Sequence, residues 1–156
     1  MRVQLALNVD DLERAIDYYS AVFGVGVNKR EPGYANFVVQ NPPLKLVLFE
    51  APGAERLNHV GFELFDDAPI EAMAERLAAA GLLSERQQGE VCCYARQNKA
   101  ISHDPQGLMW EWYRVLEDSP TFFAVDREGE AGNGQHEKTQ PFVGELTACG
   151  TGRGCC

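Results

Sequence analysis

The strongest constraint on the fold is that residues 3–116 carry one pattern twice. Residues 3–9, VQLALNV, alternate in polarity and predict a strand. DDLERAIDYYSAVFG follows and predicts a helix, with Asp10 as N-cap and Glu13 completing a capping box. Leu12, Ala15, Ile16, Tyr19 and Phe23 fall on one helical stripe, and Gly24 supplies the stop. VNKRE, ANFVVQ and LKLVLFE predict three short strands, with turns at Pro32-Gly33 and Asn41-Pro42-Pro43. The pattern restarts at residue 57. LNHVGFELF predicts a strand, Pro69 opens a helix with Ile70, Met73, Ala74 and Leu77 as its stripe, and Gly81 ends it. EVCCYARQ, AISH and LMWEWYRVL close the second copy, with Asp104-Pro105-Gln106-Gly107 as a turn. The expected class is α+β: two βαβββ modules, about 1–53 and 54–117. One helix covers only one face of each sheet, so the other faces must shield each other and enclose a cavity.

Residues 118–156 differ. They hold seven of the fifteen glycines and three of the five cysteines, Cys149, Cys155 and Cys156, and show no apolar period. This stretch is expected to be a flexible tail, its thiols forming either a mobile thiophilic arm or an inert extension. The net charge is −9 and the cations are scattered, which argues against a nucleic-acid partner. No apolar run reaches the roughly 18 residues of a membrane span. The opening MRVQLALNVDD lacks the layout of a signal peptide, so the expected location is cytoplasmic, where thiols stay reduced. A homodimer is compatible with the sequence.

Cys92 and Cys93 stand side by side. A bridge between them would be strained, because neighbouring Cα atoms lie only ~3.8 Å apart. Two readings stay open: small core hydrophobes, or a soft-ligand site.

Face assignment picks out three further residues. Val3, Leu5, Leu7 and Val9 share the helix-facing side of the first strand, leaving Gln4, Ala6 and Asn8 for the cavity. In the matching strand His59, Gly61 and Glu63 face the cavity, so His59 occupies the place equivalent to Gln4. In the last strand Glu111 lies between Trp110 and Trp112 and opposite to them in face, and a buried carboxylate there needs a partner. Gln4, His59 and Glu111 are candidate ligands of one divalent metal, an N/O set that suits Fe(II) or Mn(II). Counting from the turn prolines Pro43 and Pro105, Glu111 corresponds to about Leu48 or Phe49, neither of which can ligate. Three protein ligands leave positions open for catalysis. Spacing alone favours the plainer alternative of a hydrogen-bonded core histidine, a surface glutamine and a salt-bridged strand end.

The repeat, the strand-borne Gln4, His59 and Glu111, and the segment DPQGLMWEW resemble the vicinal oxygen chelate superfamily of glyoxalases, extradiol dioxygenases and antibiotic-resistance proteins. VQLALNVDDLERAIDYYSAVFG, PGYANFVVQNPPLKLVLFE, LNHVGFEL and CCYARQNK resemble more closely the organoarsenical carbon–arsenic lyases and the related cadmium-induced proteins. The resemblance implies an Fe(II)-dependent dioxygenase that uses molecular oxygen to split the C–As bond of trivalent organoarsenicals, such as methylarsonite and aromatic arsenicals, to arsenite. It implies Gln4, His59 and Glu111 as metal ligands and Cys92 and Cys93 as the arsenic-binding pair. Gln4 departs from the His often found at that place in the wider superfamily. For both sulfurs to meet one arsenic atom, the backbone at Cys92-Cys93 must leave strand geometry. RQNKAISH is expected to be a mobile segment over the site. Asn8, Tyr94, Lys99, His103 and Tyr113 are candidates for a supporting shell. The alternatives are a Cd(II)- or As(III)-sequestering protein of the cadmium-induced type, and a thiol transferase of the fosfomycin-resistance type, which needs a cationic cluster not evident in the sequence.

Overall fold

The computed structural model describes residues 1–124. The order is β1 (Arg2–Val9), α1 (Leu12–Phe23), β2 (Lys29–Glu31), β3 (Tyr34–Val39), β4 (Leu44–Glu50), β5 (Leu57–Glu63), α2 (Ala68–Ala79), β6 (Glu85–Cys92), β7 (Ala95–His103) and β8 (Met109–Asp118). Both βαβββ modules are present. Their sheets join edge to edge through antiparallel β1 and β5, giving one sheet in the order β2-β3-β4-β1-β5-β8-β7-β6. The sheet curls into a half-barrel with the two helices on its outside. Across the curl, the Lys45 ammonium on β4 reaches 5.2 Å from the Tyr113 ring centroid on β8.

The α1 stripe packs as expected: Leu12, with Ala15, Ile16, Tyr19 and Phe23, covers Leu7, Val9, Phe37, Leu46 and Leu48. Ile70, Ala74 and Leu77 are the buried face of α2. The capping expectation shifts by one residue. Asp11, in extended conformation, accepts from the Arg14 backbone N–H at 3.0 Å, while Asp10 accepts from Gly53 N at 2.8 Å and ties the module linker to the helix entrance.

The register shows how the modules correspond. Gln4 pairs with Gly61 and Ala6 with His59, two pairings related by exchanging the modules. Parallel neighbours are Ala6–Val47 in one module and Gly61–Glu111 in the other. The counterpart of Glu111 is therefore Val47, not Leu48 or Phe49; counting from the turns missed this because the turns differ in length.

The segment RQNKAISH is a paired strand, not the free segment over the site that the sequence suggested. It forms β7, hydrogen-bonded to β6 on one side and β8 on the other, with Gln97, Lys99, Ala100, Ile101 and Ser102 buried. The stretch EVCCYARQ is not one strand either. It bends at Cys93-Tyr94, which join β6 to β7. The chain passes the boundary expected at 117: β8 ends at Asp118, the Ser119 N–H donates to the Tyr94 carbonyl at 2.8 Å, and Phe123 bridges Cys92. Cys149, Cys155 and Cys156 lie outside the described residues. Among the described residues no helix is long and apolar enough to cross a membrane.

Candidate functional site

Strand alternation carries Gln4, His59 and Glu111 to the concave face, where all three are buried. Gln4 Nε2 lies 2.9 Å from His59 Nε2 and 2.7 Å from Glu111 Oε1, and His59 Nε2 lies 3.3 Å from Glu111 Oε1. Adjacent donors held about 2.1 Å from one ion stand about 3 Å apart, and the His59 Nε2–Glu111 Oε1 pair is the one spacing here between two atoms able to ligate. Among the described residues no three His, Cys, Asp or Glu side chains converge in this way; the third member here is an amide.

A chain of hydrogen bonds fixes the His59 ring. The Glu55 carbonyl can only accept, so Asn8 Nδ2 donates to it at 2.7 Å. Asn8 Oδ1 then accepts from Asn58 Nδ2 at 2.9 Å, and Asn58 Oδ1 accepts from His59 Nδ1–H at 2.7 Å. The proton sits on Nδ1 and the Nε2 lone pair faces Gln4 and Glu111, the tautomer a metal ligand needs. In the structure the two N–H bonds of the Gln4 amide fill both acceptors, and its Oε1 accepts from the Tyr113 hydroxyl. A metal takes an amide oxygen, so exchanging the two ends of this amide is what loading requires. The donor set then fits.

Glu111 is held from its other side by Lys99, whose ammonium lies 2.9 Å from Oε2 with both side chains 2% exposed. Burial pushes the Glu111 carboxyl up, but the Lys99 ammonium beside it outweighs this and holds the carboxyl well below its usual range. Burial, then the charges of Glu63 and Glu111, raises the Tyr113 hydroxyl, keeping it a donor. Gly61 permits this crowding. A Cβ there would meet Glu111 Cγ at 3.0 Å, Glu111 Oε1 at 3.2 Å and Gln4 Nε2 at 3.3 Å.

The cavity around these residues has a volume of about 160 Å³. Cys93 lines it, together with Tyr34, Val47 and Phe49. The Cys92 and Cys93 sulfurs lie 3.1 Å apart. They share a side because the chain turns there: Cys93 has φ 53° and Tyr94 φ 62°. Two central residues at positive φ make the two-residue hairpin turn that normally takes Asn-Gly. A Cys and a Tyr in that geometry store backbone strain, which the surrounding contacts must hold. The Tyr94 carbonyl accepts from Lys29 Nζ at 2.6 Å and from Ser119 N, pinning the turn from two sides.

The remaining candidates separate. Asn8, Lys99 and Tyr113 belong to the site; Tyr94 supports the turn. His103 is exposed, with Nδ1 3.0 Å from Ser84 Oγ, and takes no part. Sequence reading missed Asn58 and the gathering of Arg2, Lys29, Lys45 and Lys99 around one cavity. These cations are far apart in the chain, so no local run announced them. Asn58 was legible only as the polar neighbour of His59.

Comparison with known proteins agrees with the fold. Residues 2–112 match the model of the glyoxalase/bleomycin resistance protein/dioxygenase superfamily. The chain is 49% identical over 135 residues to the cadmium-induced protein CadI of Mycobacterium tuberculosis, covering 86% of this chain and 89% of that protein. It is 47% identical over 127 residues to a trivalent organoarsenical cleaving enzyme of Thermomonospora curvata, covering 80% and 84%. The fold matches the Mn(II)-bound glyoxalase of Novosphingobium aromaticivorans with a TM-score of 0.56 at 16% identity, over 79% of this chain and 41% of that one. With the repeat, the curled sheet and the match over residues 2–112 in agreement, the chain belongs to the glyoxalase/bleomycin resistance protein/dioxygenase superfamily.

Proposed function

We propose that the protein is a non-haem Fe(II)-dependent dioxygenase that cleaves the carbon–arsenic bond of trivalent organoarsenicals and releases arsenite. The observation that carries this reading is one cavity lined both by Cys93, whose sulfur lies 3.1 Å from that of Cys92, and by a buried N/O triad. The similarity to organoarsenical cleaving enzymes supports it.

In this reading Cys92 and Cys93 take the two exchangeable positions of As(III), a soft ion that prefers thiolates. The third bond, to carbon, then points into the cavity. Gln4, His59 and Glu111 hold the metal through an amide oxygen, a ring nitrogen and a carboxylate oxygen. Bound Fe(II) supplies the chemistry with dioxygen that oxidises the carbon while arsenic stays trivalent. Lys99 keeps Glu111 ionised and engages the oxygen turned away from His59. Tyr113 orients the amide, and the Asn58–Asn8 chain orients the ring. Burial of the triad excludes bulk water.

The test is anaerobic reconstitution with Fe(II), followed by product analysis with methylarsonite in the presence and absence of oxygen. Arsenite is expected only when iron and oxygen are both supplied. Stoichiometric arsenical binding with no arsenite under any condition would favour the second reading, a Cd(II)- or As(III)-sequestering protein. That reading draws on the same thiol pair and on the similarity to a protein named for induction by cadmium.

A further inference from the structure

Between Cys93 and the triad the cavity wall is aromatic. Phe49 stands 6.3 Å from the His59 ring and 5.7 Å from the Tyr34 ring, centroid to centroid. Cys93 packs against the same cluster. Tyr34 and Phe49 face the cavity. Behind them, Phe122 lies 6.2 Å from Phe49 and 5.5 Å from Tyr94, and Tyr94 lies 5.5 Å from Tyr34. Phe122 belongs to the strap after β8, beyond the residues that match the family model, and the strap is fastened over the thiol turn by the Ser119–Tyr94 bond and the Cys92–Phe123 bridge. The side chain that backs the wall therefore comes from outside the duplicated frame.

We infer that Phe49, backed by Phe122, is the specificity-determining wall for the organic group of a thiol-held substrate, and that it favours one flat aromatic ring over a methyl group. This rests on the reading of Cys92 and Cys93 as the substrate anchor. Size permits it: the cavity measures about 160 Å³ in all, shared between the aromatic wall of Tyr34 and Phe49 and the charged residues around the triad, and a single ring needs roughly 150 Å³. Geometry supports it as well, because a ring directed from Cys93 toward His59 passes along Phe49, where offset or edge contact adds to simple burial.

The experiment measures binding of phenylarsenite and methylarsenite to the full-length, reduced, metal-free chain by equilibrium dialysis, counting arsenic. A small dithiol serves as the reference for intrinsic thiol affinity. The wild-type protein is expected to prefer the phenyl compound by roughly three- to tenfold more than the dithiol does. Phe49→Ala and Phe122→Ala bring the ratio back toward that of the dithiol while methylarsenite binding changes little, and Phe49→Tyr keeps the preference. Phe49→Leu fills the core if the alanine variant unfolds, and it should lose the preference equally. An unchanged ratio in Phe49→Leu, or equal weakening of both ligands, overturns the inference. A wild-type chain that binds both compounds without preference removes the selectivity alone. One that binds neither removes the thiol anchor, and this inference with it.

Discussion

Ala6 and Gly61 stand at equivalent places on the two strands that join the modules, yet their neighbours differ. Beside Ala6 on β4 is Val47, which closes an apolar cluster with Tyr34 and Tyr94. Beside Gly61 on β8 is Glu111, turned inward with Lys99 behind it. The amino-terminal module accepts a methyl group where in the carboxyl-terminal one it would crowd Glu111 and Gln4. The duplicated frame thus fixes where residues point, while the cavity carboxylates Glu63 and Glu111 both come from one half and three of its four cations, Arg2, Lys29 and Lys45, from the other. The first module contributes Gln4 and the aromatic wall, and the second contributes His59, Glu111 and the thiols.

The sharpest way to break this comparison is to remove the carboxylate. Glu111→Ala should abolish metal-dependent turnover and leave the Lys99 ammonium buried without its partner, costing about 3–5 kcal/mol. Replacing both residues, Lys99→Met with Glu111→Leu, should recover much of the stability and none of the turnover, as denaturant melts and metal titration would show. Arsenical binding should survive in His59→Ala, and joint loss of arsenical and metal binding there would show that the two ends of the cavity are not separate.

The thiol end comes next. Cys92→Ser and Cys93→Ser should each prevent efficient arsenical capture while iron still binds, because one thiolate forfeits the chelate advantage. Dialysis with full retention of arsenical in either variant would sink the pair as the anchor.

Gly61→Ala against Ala6→Gly tests the comparison at its centre. Gly61→Ala should lower metal affinity by roughly tenfold or more through displaced ligands, whereas Ala6→Gly should cost only about 1 kcal/mol of stability with affinity retained. Similar losses of affinity in both would mean that the close approach at Gly61 does not matter.

The smallest expected effect concerns the helix entrances. Asp11 caps α1, while Asp67 precedes α2 with no side-chain cap, its carboxylate engaged by Asn98 and Arg114. Asp11→Ala should cost about 1 kcal/mol. Asp67→Ala should act instead through β7 and β8, and hydrogen exchange would separate the two.

Much of the architecture was legible because it depends on short-range periodicity. A period of two on β1, β5 and β8 set which residues share a face, and a period near 3.6 set the helix stripes. Those rules alone brought Gln4, His59 and Glu111 to the concave side. They could not give the register between strands, which is fixed by hydrogen bonds between residues far apart in the chain, so Val47 went unrecognised as the counterpart of Glu111. They also misplaced the cap of α1 by one residue and read β7 as mobile. A strand rich in Arg, Gln, Asn and Lys looks like a loop until its neighbours β6 and β8 bury it.

The sequence by itself determined the duplication, the inward faces and the residue types available for a metal and a soft ligand. Only the tertiary structure decided that Arg2, Lys29, Lys45 and Lys99 meet around one cavity, that Asn8 and Asn58 set the His59 tautomer, and that two neighbouring cysteines share a side. The reason is physical. Periodicity acts over one turn or one pleat, but register, burial and a positive-φ turn are set by contacts that exist only once the sheet has closed on itself.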